Sequence, residues 1–385
     1  MTFNRRFRLL IPFFEEVSMR MLKFVPQLMQ KMSPRFNPLQ IIDIRQETED
    51  TLSIAFAVPT DLQNEYTYKA GQYLTLRTFI NGEDVRRSYS LCSTPNSGEW
   101  RVAVKLLEDG LFSSFVHNEL KVGAKLDVMT PMGNFNFVPN PISQHSYALF
   151  AAGSGITPII AITKEILENE PLSDVSLFYG NKGFSSIIFR EEIESLKNRF
   201  MDRLRVVHIL SRESLGNPLQ KGRIDEKKCG DIYNSFLLGQ NIQGVYVCGP
   251  EEMIHAVKHS MTTAGIPVEK VHFELFNTSS AKKKEVKYEG PEVKANVMVI
   301  MDGEEFELAL DGSGTNILEA AHNAGADLPY ACKGGVCCTC KAKVLEGEAR
   351  MDVNYALEKD EVEAGYILTC QAHPVTEKLV VSFDH

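Results

Sequence analysis

The sequence predicts a multidomain chain: a β-barrel, then an α/β domain with a parallel sheet, then a small α+β domain. Three observations predict it. Short β-branched and aromatic runs, separated by turn residues, fill residues 37–143. Strand and helix patterns alternate over 144–277, the rhythm of a doubly wound sheet. Five of the eight cysteines crowd between Cys332 and Cys370, inside an acidic stretch covering 295–385. A chain of 385 residues is too long for one ordinary core, so several domains are expected in any case.

Residues 1–36 form a basic leader with Phe7, Leu10, Ile11, Phe14, Val17 and Met21 at helical spacing, interrupted by Pro12 and Pro26. Its apolar runs are far shorter than the ~20 residues a membrane span needs. Two readings stand side by side: a helix lying on an anionic membrane surface, or a leader that packs on its own domain or frays. The barrel strands are "TLSIAFAVP", "GQYLTLRTF", "RRSYSLCS" and "EWRVAVKLL", with turns at "INGED" and "PNSGE". In the α/β domain "SYALFAA", "VSLFYG", "LRVVHIL" and "GVYVCGP" read as strands. "TPIIAITKEILENE", "SSIIFREEIESLKNRF" and "EEMIHAVKHSMTTAG" read as helices. Residues 278–294 are polar and lysine-rich, a linker. The net charge of −9 leaves no surplus of Lys and Arg to neutralise phosphates, which argues against nucleic acid as a partner. No secretory signal is present, and clustered cysteines suit a reducing, cytoplasmic compartment; membrane contact, if any, would be peripheral.

Cys332, Cys337 and Cys340 follow the C-x4-C-x2-C pattern, and Cys370 completes a set with the plant-type spacing for a 2Fe–2S cluster. Four thiolates around two irons carry negative charge, so the loop needs backbone N–H groups turned toward sulfur; Gly334 and Gly335 permit that. Cys338 breaks the spacing and reads as a buried small residue. A zinc site is the competing reading, but zinc usually takes paired C-x2-C units, and here the fourth cysteine comes singly.

"AAGSGITPIIAI" follows a buried strand directly. Gly153 and Gly155 would let backbone approach a pyrophosphate, Thr157 would cap the helix, and Pro158 suits its first turn. "YVCGPEEM" ends the last long strand with Cys248, Gly249 and Pro250, and strand C-termini are where open α/β sheets bind ligands. Either turn alone is also what a tight strand-to-helix connection uses with no ligand at all.

"RSYS", "GSGITP" and "CGPEEM", in this order, resemble the ferredoxin–NADP reductase superfamily, here followed by a ferredoxin domain of β-grasp-like fold. The resemblance implies FAD in the barrel and NADPH or NADH on the glycine turns. It implies that Arg87 pairs with the flavin pyrophosphate, Tyr89 stacks on the isoalloxazine and Ser90 lies near its reactive edge. Gly110, Phe112 and Ser113 are implied at the pyrophosphate, Glu274 and Phe276 over the flavin, and Cys248 beside the nicotinamide. Tyr89, Ser90, Cys248 and Glu274 are thus the implied catalytic set. Ser211 and Arg212, with Lys182, would grip a 2′-phosphate, a slight preference for NADPH; as surface charges they would carry none.

"AGQYLTL", "GRID", "LPYACKGGVCCTCKAKVLEG" and "AGYILTCQA" narrow the resemblance to phenylacetyl-coenzyme A epoxidase reductases, which implies a diiron epoxidase or similar oxygenase component as partner. The basic leader departs from that pattern and keeps a ring-hydroxylating oxygenase or a membrane fatty-acid desaturase open as client. A redox-sensing or electron-storage module without turnover is the alternative of another class. Electron count orders the parts: nicotinamide gives two electrons at once, the cluster takes one, and a flavin between them converts. Residues 295–385 hold sixteen Asp and Glu against six Lys and Arg, a charge that would steer a basic partner.

Overall fold

Alternating apolar side chains with Gly-containing turns close the first part of the chain into a barrel. The computed structural model describes residues 35–276 and 293–384. The barrel strands are β1 (Phe36–Thr48), β2 (Thr51–Ala57), β3 (Tyr73–Ile80), β4 (Glu83–Ser90), β5 (Trp100–Lys105) and β6 (Lys125–Met129), with helix α1 (Leu111–Asn118) between the last two. Their order is β4-β3-β6-β1-β2-β5, and a bridge from Leu91 to Val102 joins the two edges. Leu39, Ile54, Leu74, Leu76, Val102 and Val128 fill the interior. The β3–β4 hairpin turns on Asn81 and Gly82, both at positive φ, which fits the twist of the strands it joins. Its register sets Tyr73 opposite Ser90.

The second sheet is wholly parallel. It comprises β7 (Ser146–Ala152), β8 (Asp174–Asn181), β9 (Leu204–Leu210), β10 (Ile242–Cys248) and β11 (Val271–Glu274), in the order β11-β10-β7-β8-β9. Helices α2 (Ile156–Asn169), α3 (Arg190–Arg199), α4 (Glu226–Ile232) and α5 (Glu251–Thr263) connect the strands. Strand order reverses between β7 and β10, so a crevice opens at their C-terminal ends. The helix expected over "SSIIFREEIESLKNRF" starts only at Arg190. Ile187, Ile188 and Phe189 are all buried, which one face of a helix could not achieve, and Phe189 takes φ 58°. Helix α4, unassigned from the sequence, begins where the Asp225 carboxylate accepts the Lys228 N–H at 2.8 Å.

The third sheet contains β12 (Lys294–Met301), β13 (Glu304–Asp311), β14 (Lys341–Glu346), β16 (Tyr366–Leu368) and β18 (Lys378–Ser382), ordered β13-β12-β18-β14-β16. Only β12 and β18 run parallel. β15 (Ala349–Met351) pairs with β17 (Ala372–Pro374), and α6 (Ile317–Asn323) buries Ile317, Leu318 and Ala321 against the sheet. A short helix, α7 (Lys359–Glu363), precedes β16. This mixed sheet with one packed helix is the expected β-grasp-like arrangement. The amphipathic leader before Arg35 and the linker between Phe276 and Val293 lie outside the described residues. Among the described residues no helix is long and apolar enough to cross a membrane.

Candidate active site

The crevice between β7 and β10 is built from two glycine turns with different tasks. Gly153 has φ 53°, and nothing lies within 4 Å of where a Cβ would stand, so its backbone faces open space. The Tyr179 hydroxyl donates to its carbonyl at 3.0 Å and fixes the turn. At Gly155 a Cβ would sit 2.2 Å from the Cys248 carbonyl oxygen, so the two turns pack backbone against backbone. Together they border a cleft of about 710 Å³ whose lining includes Gly153, Gly155, Ser211, Gly249, Pro250 and Phe276. Size, open glycine backbone and a helix start fit a dinucleotide. Pro158 lies buried in the first turn of α2, as expected. Thr157 does not cap that helix: a 3-10 turn over Gly153–Gly155 runs straight into it, and the Thr157 hydroxyl donates back to the Ser154 carbonyl at 3.1 Å. Arg212 is exposed outside the cleft, whereas Lys182 and Arg223 line it. The sequence reading missed Arg223. Its one signal is the preceding Gly222, whose φ of 105° makes a turn beside the end of β9.

Parallel pairing of β10 with β11 places Cys248 opposite Glu274. The barrel supplies the third member: Ser90 Oγ donates to Glu274 Oε2 at 2.9 Å. Desolvation pushes the Glu274 carboxyl up to about 8, and the Ser90 hydrogen bond offsets only part of that. Burial, then the nearby Glu274 charge, raises the Cys248 thiol well above its ordinary range, so it is a neutral group. Such a thiol shapes a pocket and does not attack.

On the barrel face, the Tyr89 ring lies 5.7 Å from that of buried Phe112. Arg87 is exposed, and one guanidinium nitrogen donates to the Arg86 carbonyl at 2.7 Å. The Ser113 hydroxyl accepts the Leu107 N–H at 3.1 Å and donates to the Gly110 carbonyl at 3.0 Å. A Cβ on Gly110 would stand 2.4 Å from that hydroxyl. Gly110 and Ser113 therefore lock the turn into α1, while Phe112 supports Tyr89 from below. An exposed guanidinium beside a half-buried phenol, with a helix start adjoining, fits the phosphates and ring of a flavin nucleotide.

The four cysteines converge. Sγ of Cys337 lies 3.1 Å from Sγ of Cys332, and Cys370 is within hydrogen-bonding reach of both Cys332 and Cys340. Hydrogen bonds from the Cys337 and Cys370 thiols, and then from the Gly334 and Val336 N–H groups, hold the Cys332 thiol far below its ordinary range. Four thiols with backbone N–H groups turned on sulfur are the donor set that a 2Fe–2S cluster requires. The loop's left-handed residues are Lys333 and Gly335, at φ 51° and 72°; Gly334 needs no such angle. The strain at Lys333 turns the Gly334 N–H onto Cys332 Sγ at 3.3 Å. Cys338 is buried as expected, with its Sγ 3.4 Å from the Tyr73 hydroxyl.

Family models match the chain segment by segment. An oxidoreductase FAD-binding domain covers residues 38–137, an oxidoreductase NAD-binding domain 149–259, and a 2Fe-2S iron-sulfur cluster binding domain 299–375. Fold and site thus define an NAD(P)H oxidoreductase that carries FAD and a 2Fe–2S cluster. The chain is 41% identical over 350 residues to the E subunit of 1,2-phenylacetyl-CoA epoxidase from Escherichia coli (strain K12), covering 91% of this chain and 98% of that one. It is 36% identical over 354 residues to the ferredoxin reductase component of 3-ketosteroid-9-alpha-monooxygenase from Rhodococcus rhodochrous, covering 90% and 96%. The fold matches phthalate dioxygenase reductase with a TM-score of 0.57 at 24% identity, over 90% of this chain and 98% of that one. The chain belongs to this family of flavin and iron–sulfur reductases, with a ferredoxin–NADP reductase-like fold, together with the E subunit of 1,2-phenylacetyl-CoA epoxidase.

Proposed function

We propose that this chain is the reductase component of an oxygenase, and that its client is a diiron phenylacetyl-CoA epoxidase of phenylacetate degradation. One observation carries the reading: two paired residues of one barrel hairpin reach the two neighbouring units. Ser90 bonds Glu274 of the nucleotide unit, and its strand partner Tyr73 bonds the cysteine loop. The 41% identity to the E subunit of the epoxidase, over nearly its whole length, favours that client over the alternatives. The units are proposed as 37–143, 144–277 and 295–385, joined by the linker 278–294.

When bound, a flavin takes two electrons from nicotinamide nucleotide and releases them singly, which matches them to a 2Fe–2S centre. Cys332, Cys337, Cys340 and Cys370 hold the cluster. Arg87 neutralises the flavin pyrophosphate, Tyr89 covers the ring, and Gly110 and Ser113 shape the turn beside it. Gly153, Gly155, Gly249 and Pro250 leave room for the dinucleotide backbone, with Ser211, Lys182 and Arg223 at the end suited to a 2′-phosphate. Phe276 closes the cleft. Ser90 and neutral Glu274 hold a proton at Glu274, and Cys248 packs the wall where the nicotinamide lies. The purified chain, mixed with the epoxidase oxygenase component and phenylacetyl-CoA, is expected to support NAD(P)H-dependent epoxidation. Rapid cytochrome c reduction without epoxidation would reject the client and keep the reductase.

A further inference from the structure

We propose that Tyr73 and Arg86 are positioning residues that hold the iron–sulfur domain on the flavin barrel in the orientation used for electron transfer between them. The inference rests on the reductase reading above. Both residues come from the β3–β4 hairpin that carries Arg87, Tyr89 and Ser90, and both side chains leave the barrel.

Tyr73 is 4% exposed and packs in the C-terminal core with Cys337, Cys338 and Cys340 rather than in its own barrel. Its hydroxyl accepts the Cys338 N–H at 3.2 Å and lies 3.1 Å from Thr339 Oγ1. Its backbone is fixed by paired hydrogen bonds with Met132, at 2.8 and 3.0 Å. Gly133 leaves space for the ring, since a Cβ there would stand 3.1 Å from it. Arg86 is 2% exposed and pairs with Asp84 of its own strand at 2.7 Å. Across the seam its guanidinium reaches Asp327 at 2.6 Å and the Leu328 carbonyl at 3.2 Å, and lies 4.3 Å over the Tyr330 ring.

Residues 327–330 lead directly into the cysteine loop. Arg86 therefore grips the entrance of that loop and Tyr73 its middle, between Cys337 and Cys340. A rigid hairpin that carries the flavin motif at one end thus sets the position of the cluster ligands at two points. A docking contact serving stability alone could sit anywhere on the barrel; these two lie on the segment linking the two redox sites. Electron transfer falls steeply with separation, so a small displacement of the loop acts on rate before it acts on folding.

The test uses full-length holoprotein with Tyr73→Phe, Asp327→Asn and the double variant. Asp327 is largely exposed on the iron–sulfur side, and its two barrel partners, Arg86 and Arg77, keep Asp84 and Asp127. Its replacement therefore loosens the seam while the barrel keeps its own ion pairs, even where Tyr73→Phe folds poorly. Each NAD(P)H oxidised loses two electrons and releases one proton, reducing two molecules of ferricyanide at the flavin or two of cytochrome c through the cluster. Stopped-flow transfer from flavin to cluster is expected to slow roughly tenfold or more, with ferricyanide reduction kept within about twofold. Hydrogen exchange of residues 327–340, in oxidised protein without nucleotide, is expected to quicken in each variant. Wild-type transfer rates in both single variants would overturn the proposal, whether or not exchange changes. A wild-type protein that reduces ferricyanide but never cytochrome c would instead reject the underlying reductase reading.

Discussion

Glu274 is a partly buried carboxyl group in a desolvated setting, accepting from the Ser90 hydroxyl, and that fixes how it responds to pH. Its folded value of about 8 lies above the ordinary 4.5, so between these limits the unfolded chain releases a proton that the folded chain keeps. Raising pH through that window therefore weakens the fold, by about 1.4 kcal/mol per unit for one proton, and the penalty is constant above it. Glu274→Gln is expected to flatten the fall in Tm between pH 5 and 8 and to remove an inflection near 8 from the pH profile of flavin reduction. Cys248→Ala should slow flavin reduction roughly tenfold by misplacing the nicotinamide while bound-flavin absorbance persists; unchanged stopped-flow rates would remove Cys248 from the site. The four clustered cysteines were legible because ligand chemistry imposes their spacing. Arg212 and Arg223 were not separable, since a sequence does not tell which of two loop arginines the Gly222 turn aims into the cleft.

At the scale of elements, the contrast between Gly153 and Gly155 gives two different outcomes for one substitution. Gly155→Ala drives a methyl into the Cys248 carbonyl and must part β7 from β10, a cost of about 1–3 kcal/mol. Gly153→Ala meets no atom and carries only the left-handed strain, about 1 kcal/mol. Thermal unfolding should report the first chiefly as lost stability, and nucleotide titration the second chiefly as weaker binding. The alternation of strand and helix was readable because each βα unit buries one face of each element. β1 escaped notice because its polar positions outnumber its buried ones, and "SSIIF" misled because three adjacent buried residues resemble a helix start. Thr157 misled too: a hydroxyl early in a helix reads as a cap until the preceding turn is seen to be helical already.

Across the whole molecule, charge and contact are divided between surfaces. The acidic C-terminal domain favours a basic acceptor, so electron delivery to the partner should slow as salt rises from 50 to 300 mM, roughly tenfold for a steered encounter. Flavin-to-cluster transfer should stay flat over the same range, because Arg86 is buried and little screened. A flat response in partner turnover would remove the steering. None of the seam was legible in advance: Tyr73 and Arg86 carry no signal of their own in the sequence, because contacts between domains leave no periodic trace. The Asp302–Gly303 hairpin turn receives both ends of the described chain. Asp384 accepts N–H groups from Asp302 and Gly303 at 2.7 and 3.0 Å, and Arg35 reaches the Asp302 carboxylate at 3.8 Å. Splicing residue 384 to residue 35 through a short glycine bridge, with a new start at residue 293, would place the iron–sulfur module first in a rearranged gene and leave its seat unchanged. Such a circular permutant should retain the wild-type internal transfer rate.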